Sequence, residues 1–120
     1  MGRNSNANGD AQIKVSGFQV SASELEALLM THPNVLDAAV IPRPHERFGE
    51  VPRAYVVLRE ATAGVEDALV EWAAPQLVHY KKLRGGVVVT DRLPKTSSGK
   101  LLRREVLKAD RERFPAAGQS

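Results

Sequence analysis

The chain has 120 residues, of which 42% are hydrophobic and 26% charged, and its formal net charge is +3, values typical of one soluble globular domain with a modest core. The absence of cysteine excludes a disulfide framework, a thiolate metal site and a cysteine nucleophile, and the interleaved charges of both signs do not indicate a nucleic-acid-binding protein. No apolar run reaches membrane-spanning length and no signal peptide is recognisable, so we expect a cytoplasmic protein with no membrane span.

The first ordered elements are predicted to be a β-hairpin and a helix. Residues Ile13–Val20 alternate between apolar and polar side chains on either side of Gly17, a pattern that predicts two short strands joined by a turn. Ser21 is followed three residues later by Glu24, which is the capping-box spacing at a helix start. Apolar residues then recur at helical intervals to about Thr31, so we expect an amphipathic helix there.

The middle of the chain predicts two strands and a broken helix. The segment Val35–Ile41 is apolar apart from one aspartate, and Arg53–Leu58 is rich in residues that favour strands. Between them, the proline-rich segment 42–49 is predicted to be a loop. Residues Glu66–Tyr80 have helical periodicity, with Trp72 on the apolar stripe, but Pro75 is expected to kink or break the helix.

The last third predicts a third core strand, Val87–Thr90, and a final helix, Leu101–Lys108. The predicted fold class is α+β, with a small three-stranded central sheet, flanking helices and an N-terminal β-hairpin. The expected divisions of the chain are a disordered leader or linker remnant at 1–9, the domain at 10–110 and a frayed tail at 111–120.

The polar loop between the third strand and the last helix carries the clearest candidate for chemistry. Pro94 fixes one backbone angle and Gly99 frees another, so the loop is shaped, and it ends at Lys100. A lysine is a mobile point charge with three donors, which suits a phosphate or carboxylate whose charge changes during a reaction. The alternative is a polar surface loop with a solvated lysine.

The other polar residues that could form a functional site are interpreted as structural or solvent-exposed. The three histidines share no ligand spacing, so a zinc site is not expected, and Gly99-Lys100 lacks the remainder of a Walker motif. Glu24 and Glu26 are two positions apart on a helix and point in different directions, so we interpret them as a cap and a surface residue. The basic segment 81–84 is interpreted as a solvated turn, with a contact to an acidic partner or a CoA phosphate as the alternative.

Several segments together resemble a known family. The residues Pro-Lys-Thr-Ser-Ser-Gly-Lys-Leu at 94–101 resemble the closing motif of adenylate-forming enzymes, which include acyl- and aryl-CoA synthetases, luciferases and peptide-synthetase adenylation domains. Residues Gln12–Val20 resemble the first hairpin of their C-terminal domain. The same order and spacing hold for Glu24-Leu25-Glu26, His32-Pro33, Gly49-Glu50-Val51-Pro52 and Tyr80-Lys81-Lys82-Leu83. The resemblance runs from about Asp10 to Lys108 and covers only that small domain.

The resemblance implies roles for individual residues. Lys100 matches the lysine that acts in adenylation, and Lys14 matches a lysine on the opposite face that approaches the site in the second half-reaction. Asp10 matches the hinge, and Gly17 and Phe18 match the hairpin that lines the CoA channel. Asn8 stands where the family has an arginine that contacts the nucleotide ribose, so this chain departs from the family pattern at that position.

The resemblance also implies substrates and partners. We expect the C-terminal domain of an ATP-dependent carboxylate–CoA ligase, whose partner is the N-terminal adenylation domain of the same enzyme and whose substrate is a carboxylic acid. ATP, CoA and Mg²⁺ are expected to require that N-terminal domain, so we expect the isolated chain to bind none of them and to be inactive. The alternatives are a free-standing non-catalytic binding or regulatory module and the C-terminal part of a peptide-synthetase adenylation domain.

Overall fold

The computed structural model describes residues 12–115, which form five strands and three α-helices. In chain order the elements are β1 (Gln12–Val15), β2 (Phe18–Ser21), α1 (Ala22–Leu29), β3 (Val35–His45), β4 (Gly49–Leu58), α2 (Val65–Ala73), two 3₁₀ turns (Ala74–Gln76 and His79–Lys81), β5 (Val87–Val89) and α3 (Arg103–Arg113). None of the helices in this part of the chain combines the length and the apolar character needed to cross a membrane.

Strand β4 is the centre of one five-stranded sheet. It pairs antiparallel with β3 over its whole length and parallel with β5 at Ala54–Val56. The β1–β2 hairpin joins the same sheet through the pair Val15 and Gly49. The predicted α+β fold, with three central strands and an N-terminal hairpin, is confirmed, and the hairpin continues the sheet instead of standing apart from it.

The sheet is covered on both faces, which explains why β3 and β4 read as continuous apolar runs. Alternate residues of the two strands, including Val40 and Val56, face a core that includes Leu25 of α1 and Leu69 of α2. The intervening residues face a second, smaller core; its buried members are Ala39, Ile41, Tyr55, Leu93 and Val106. Helix α3 and the segment before it therefore lie on the face opposite α1 and α2.

The predicted loop at 42–49 is too long: the structure has a turn only at 46–48, because β3 continues through Pro42 and Pro44 to His45 and β4 begins at Gly49. Ala54 donates its N–H to the carbonyl of Gly86 at 3.0 Å and so points away from β3. Its partner Val40 must then point its own N–H to the open edge of the sheet, and the same holds at every second residue. Pro42 and Pro44 occupy these edge-facing positions, where a missing N–H removes no ladder bond.

Other predicted boundaries agree or shift by a few residues. The Ser21 hydroxyl accepts the N–H of Glu24 at 3.3 Å, as the capping pattern predicts, although α1 ends at Leu29. The break at Pro75 is confirmed, since α2 ends at Ala73 and a 3₁₀ turn follows. Helix α3 starts later than predicted and continues to Arg113. The predicted leader 1–9 and residues 116–120 lie outside the described part of the chain.

Candidate functional site

Lys100 lies at the end of a closed turn, here called the Lys100 turn (residues 95–101). Its two ends meet in a single antiparallel bridge between Lys95 and Leu101. Within it, Thr96 donates its N–H to the carbonyl of Lys100 at 2.9 Å, and its hydroxyl accepts the N–H of Lys100 at 3.0 Å. Gly99 has φ of +92°, which a residue with a side chain rarely adopts. The turn therefore holds the backbone of Lys100 in one shape.

The side chain of Lys100 is exposed, and within residues 12–115 it makes no ion pair. Its neighbour Lys95 differs, since the Lys95 ammonium lies 2.6 Å from a carboxylate oxygen of Asp37. A fixed backbone carrying a solvated ammonium group fits an anionic group that approaches from outside this domain.

The β1–β2 hairpin carries the second set of predicted residues. Ser16 and Gly17 have φ of +51° and +89°, as a two-residue type I′ turn requires. Apart from the two residues that flank Gly17, no atom in the described part of the chain lies within 4 Å of the position that a Cβ would take there, so the space beside it is open. Phe18 is 50% exposed, and its ring stacks on Tyr80 with centroids 4.3 Å apart.

Lys14 lies on β1 between the buried residues Ile13 and Val15, and its exposed side chain points away from the core that those two residues enter. Its backbone N–H donates to a carboxylate oxygen of Glu50 at 2.9 Å. Together with the donation from Ser16 to the carbonyl of Phe48 at 2.8 Å, this attaches the hairpin to the start of β4.

The two candidate lysines are anchored at opposite ends of the β3–β4 ladder. Lys95, at the base of the Lys100 turn, pairs with Asp37 near the beginning of β3. The Lys14 hairpin joins Gly49, which lies opposite His45 at the end of β3. At roughly 3.3 Å per residue, the stretch from 37 to 45 spans about 26 Å. The backbones that carry the two lysines are therefore attached at well-separated points of the ladder.

Two other predicted features have different outcomes. The candidate hinge, Asp10, lies outside the described residues. His32 is structural, as predicted, because its Nδ1 accepts the N–H of Asn34 at 3.0 Å and its ring meets Trp72 edge-on at 4.8 Å. Trp72 packs against the larger core but is only partly buried.

Among the described residues, no group of three or more His, Cys, Asp or Glu side chains could hold a metal ion.

The interpretation of Glu26 as a surface residue is wrong. Its carboxylate forms a bidentate pair with Arg103 at 2.6 and 2.8 Å and also accepts the edge-facing N–H of Val40 at 2.8 Å. Glu26 thereby joins α1, β3 and α3. The helix period predicts that Glu26 and Glu24 diverge, which they do: Glu24 instead contacts Lys81 at 3.2 Å.

The basic segment 81–84 is also less solvated than predicted, because Lys81 has that partner and the Arg84 guanidinium lies 5.0 Å from the centre of the Phe48 ring.

Sequence reasoning missed a buried charge cluster beneath α3. Asp110 is fully buried, and its carboxylate accepts from Arg53 at 2.7 Å, Arg43 at 3.2 Å and the Tyr55 hydroxyl at 2.6 Å. Burial, aided by the adjacent carboxylate, raises the pKa of Tyr55 to about 12. The only signal in the sequence was an aspartate four residues after the apolar Val106, on the same helix face.

Comparison with known proteins identifies the family. The sequence model of the protein family called AMP-binding enzyme C-terminal domain matches residues 24–100, more than half of the chain. The probable 4-coumarate–CoA ligase 1 of Dictyostelium discoideum is 45% identical over 94 residues, and the 4-coumarate–CoA ligase-like protein 4 of Oryza sativa subsp. japonica is 47% identical over 96 residues. These matches cover 78% and 80% of this chain but only 17% of each relative.

Solved structures agree with this assignment. Apo MatB from Rhodopseudomonas palustris superposes with a TM-score of 0.78 at 27% identity, over 88% of this chain and 21% of that one. An o-succinylbenzoate CoA synthetase from Bacillus subtilis, a double mutant bound to a product analogue, gives 0.73 at 31% identity, over 82% and 20%. The chain spans about a fifth of the length of the proteins it matches. It belongs to the family of AMP-binding enzyme C-terminal domains.

Proposed function

We propose that this chain is the mobile C-terminal domain of an ATP-dependent carboxylate–CoA ligase. The observation that carries the proposal is Lys100: an exposed lysine without an ionic partner in residues 12–115, held by Thr96 in a closed turn within the segment that matches the family. The relatives described above are named as CoA ligases, which favours CoA over a carrier protein as the thiol acceptor.

In the first half-reaction, a carboxylate oxygen of the substrate attacks the α-phosphorus of ATP. A bond from that oxygen to phosphorus forms, the bond from phosphorus to the bridging oxygen breaks, and pyrophosphate leaves with the electron pair. Lys100 donates to the carboxylate and to a non-bridging α-phosphate oxygen as charge is redistributed. A positioned cation of this kind acts most strongly where water is excluded, which requires an opposing domain.

In the second half-reaction, the CoA thiol loses its proton to solvent and its sulfur attacks the carbonyl carbon of the acyl-adenylate. A carbon–sulfur bond forms, the bond from that carbon to the phosphate oxygen breaks, and AMP leaves with the electron pair. The β1–β2 hairpin then replaces the Lys100 turn at the site, with Lys14 and the open space beside Gly17 and Phe18 next to the thiol. The ladder separates the two anchors by about 26 Å, so the exchange requires rotation of the domain as a body. Asp10 is the proposed hinge for that rotation.

ATP, CoA and Mg²⁺ bind with the help of an N-terminal adenylation domain, the principal partner. The described residues fit a part of that site: they offer a free ammonium group at Lys100 and an open hairpin tip, but no cluster of carboxylates for a metal. The chain alone is therefore proposed to be inactive.

The test separates the two half-reactions in the intact ligase that contains this chain. Lys100→Ala is expected to lower adenylation, measured as ATP–pyrophosphate exchange, while thioester formation from pre-made acyl-adenylate continues. Lys14→Ala is expected to show the reverse. Lys108→Ala, an exposed lysine on α3, is the matched control and should alter neither rate. Loss of both half-reactions to the same extent in either variant would contradict the assignment.

A further inference from the structure

The Lys100 turn is tied to the sheet on both sides of Lys100 by ion pairs, here called the flanking ion pairs. Five residues before Lys100, the Lys95 ammonium lies 2.6 Å from Asp37. Three residues after it, Arg103 forms the bidentate pair with Glu26 at 2.6 and 2.8 Å. Both acidic partners belong to the part of the fold before residue 40, so each pair is a long-range tether.

Both tethers end on one short stretch of β3. Asp37 is part of the strand, and its carboxylate also accepts the N–H of Ala38 at 3.0 Å. Glu26 reaches the strand through the N–H of Val40, which points to the open edge, at 2.8 Å. The hydrogen bonds of Thr96 fix the shape of the turn, but they do not fix where the turn lies relative to the sheet. Leu101, at the end of the turn, packs against the smaller core, and the flanking ion pairs add ties to β3 on both sides of Lys100.

We propose that Asp37, Lys95, Glu26 and Arg103 are positioning residues for Lys100 in adenylation, an inference that rests on the proposed function. They do not touch the substrate. They hold the Lys100 turn against β3, so that rotation of the domain delivers the ammonium group to a defined place. Misplacement of a catalytic group by about 1 Å can cost on the order of 10²-fold in rate.

Because the Lys95–Asp37 pair is partly exposed, a role in positioning Lys100 can be distinguished by experiment from a role in stabilising the fold. The side chains of Lys95 and Asp37 are 38% and 24% exposed. An ion pair this accessible contributes little to folding stability, so its loss should leave the unfolding midpoint almost unchanged. A selective loss of adenylation in a variant with normal stability would therefore report the position of Lys100.

The experiment uses Asp37→Asn, Lys95→Met, their double variant and Glu26→Gln in the intact ligase. Each single variant is expected to lower the adenylation rate about tenfold and to leave thioester formation from acyl-adenylate unchanged. The expected loss is smaller than the effect on the order of 10²-fold that a displacement of the catalytic group by about 1 Å can cause. The Asp37→Asn/Lys95→Met variant should be no slower than either single variant, because both remove the same tether. Glu24→Gln, which removes the comparable exposed pair with Lys81, is the control and should retain adenylation.

A second readout uses the 120-residue chain itself and needs no activity. Backbone amide order parameters for Ser98, Gly99 and Lys100 should fall in Asp37→Asn and Glu26→Gln and stay unchanged in Glu24→Gln.

The outcomes distinguish the two proposals. If Lys100→Ala abolishes adenylation but the tether variants retain it, or if they slow both half-reactions alike, the positioning role is overturned and the proposed function stands. If Lys100→Ala itself leaves adenylation intact, the proposed function fails and the positioning role fails with it.

Discussion

Truncation of Asp110 should destabilise the domain severely, because it leaves two arginines without their buried counter-charge. The Asp110 side chain is 1% exposed, and those of Arg43 and Arg53 are 14% and 15% exposed. Removing one member of a buried charge cluster typically costs about 3–5 kcal/mol. Both arginines keep a backbone acceptor, namely Phe114 for Arg43 and Gly85 for Arg53, so we expect Asp110→Ala to cost about 3 kcal/mol, the lower end of that range.

The assay is urea unfolding of the 120-residue chain, followed by circular dichroism and by the fluorescence of its single tryptophan. Asp110→Asn keeps an acceptor for the Tyr55 hydroxyl but also removes the counter-charge of both arginines, so it should cost only slightly less than alanine. Asp91→Ala removes an exposed aspartate and, as the control, should stay within about 0.5 kcal/mol of the parent. A loss below about 1 kcal/mol for Asp110→Ala would refute the reasoning, since that is the scale of an ordinary surface change.

Three further predictions concern stability. The raised pKa of Tyr55 means that its hydroxyl stabilises the folded state fully below pH 10 and that this stabilisation is lost as pH rises through 12. The difference in free energy of unfolding between the parent and Tyr55→Phe should therefore shrink across that window by about 3 kcal/mol, measured by urea unfolding at each pH. Gly85→Ala should lower the melting temperature, because its Cβ would lie 2.8 Å from the carbonyl oxygen of Pro52, whereas Gly64→Asn at an open αL position should be mild. Trp72→Ala should cost about 2 kcal/mol by urea unfolding; a change near zero would mean that the ring does not pack on the core.

Local rules predicted most of the fold. The alternation around Gly17 predicted the hairpin, the spacing of Ser21 and Glu24 predicted the start of α1, and Pro75 predicted the break after α2. Each of these signals depends on residues within a few positions of one another. The extension of β3 through Pro42 was not predictable in this way, because it depends on which edge of the strand is left unpaired.

The contacts that hold α3 and the Lys100 turn against the rest of the fold are the least local. Asp110 meets partners 55, 57 and 67 residues away in sequence, and Glu26 meets Arg103 across 77 residues. Charged residues on a polar helix carry no periodicity that distinguishes burial from solvation, so these pairs emerge only when the elements pack. The motif identified Lys14 and Lys100, but their anchoring at opposite ends of the β3–β4 ladder needed the strand register.

The central claim is that Lys100 acts in adenylation and Lys14 in the step that follows. The most direct measurement is the ratio of the adenylation rate to the rate of thioester formation from pre-made acyl-adenylate, in Lys100→Ala of the intact ligase relative to the parent. The loss of one well-placed charged donor is worth on the order of 10²–10³ in rate, so the ratio should fall by that factor. A ratio unchanged from that of the parent would contradict the account and make Lys100 a solvated surface lysine.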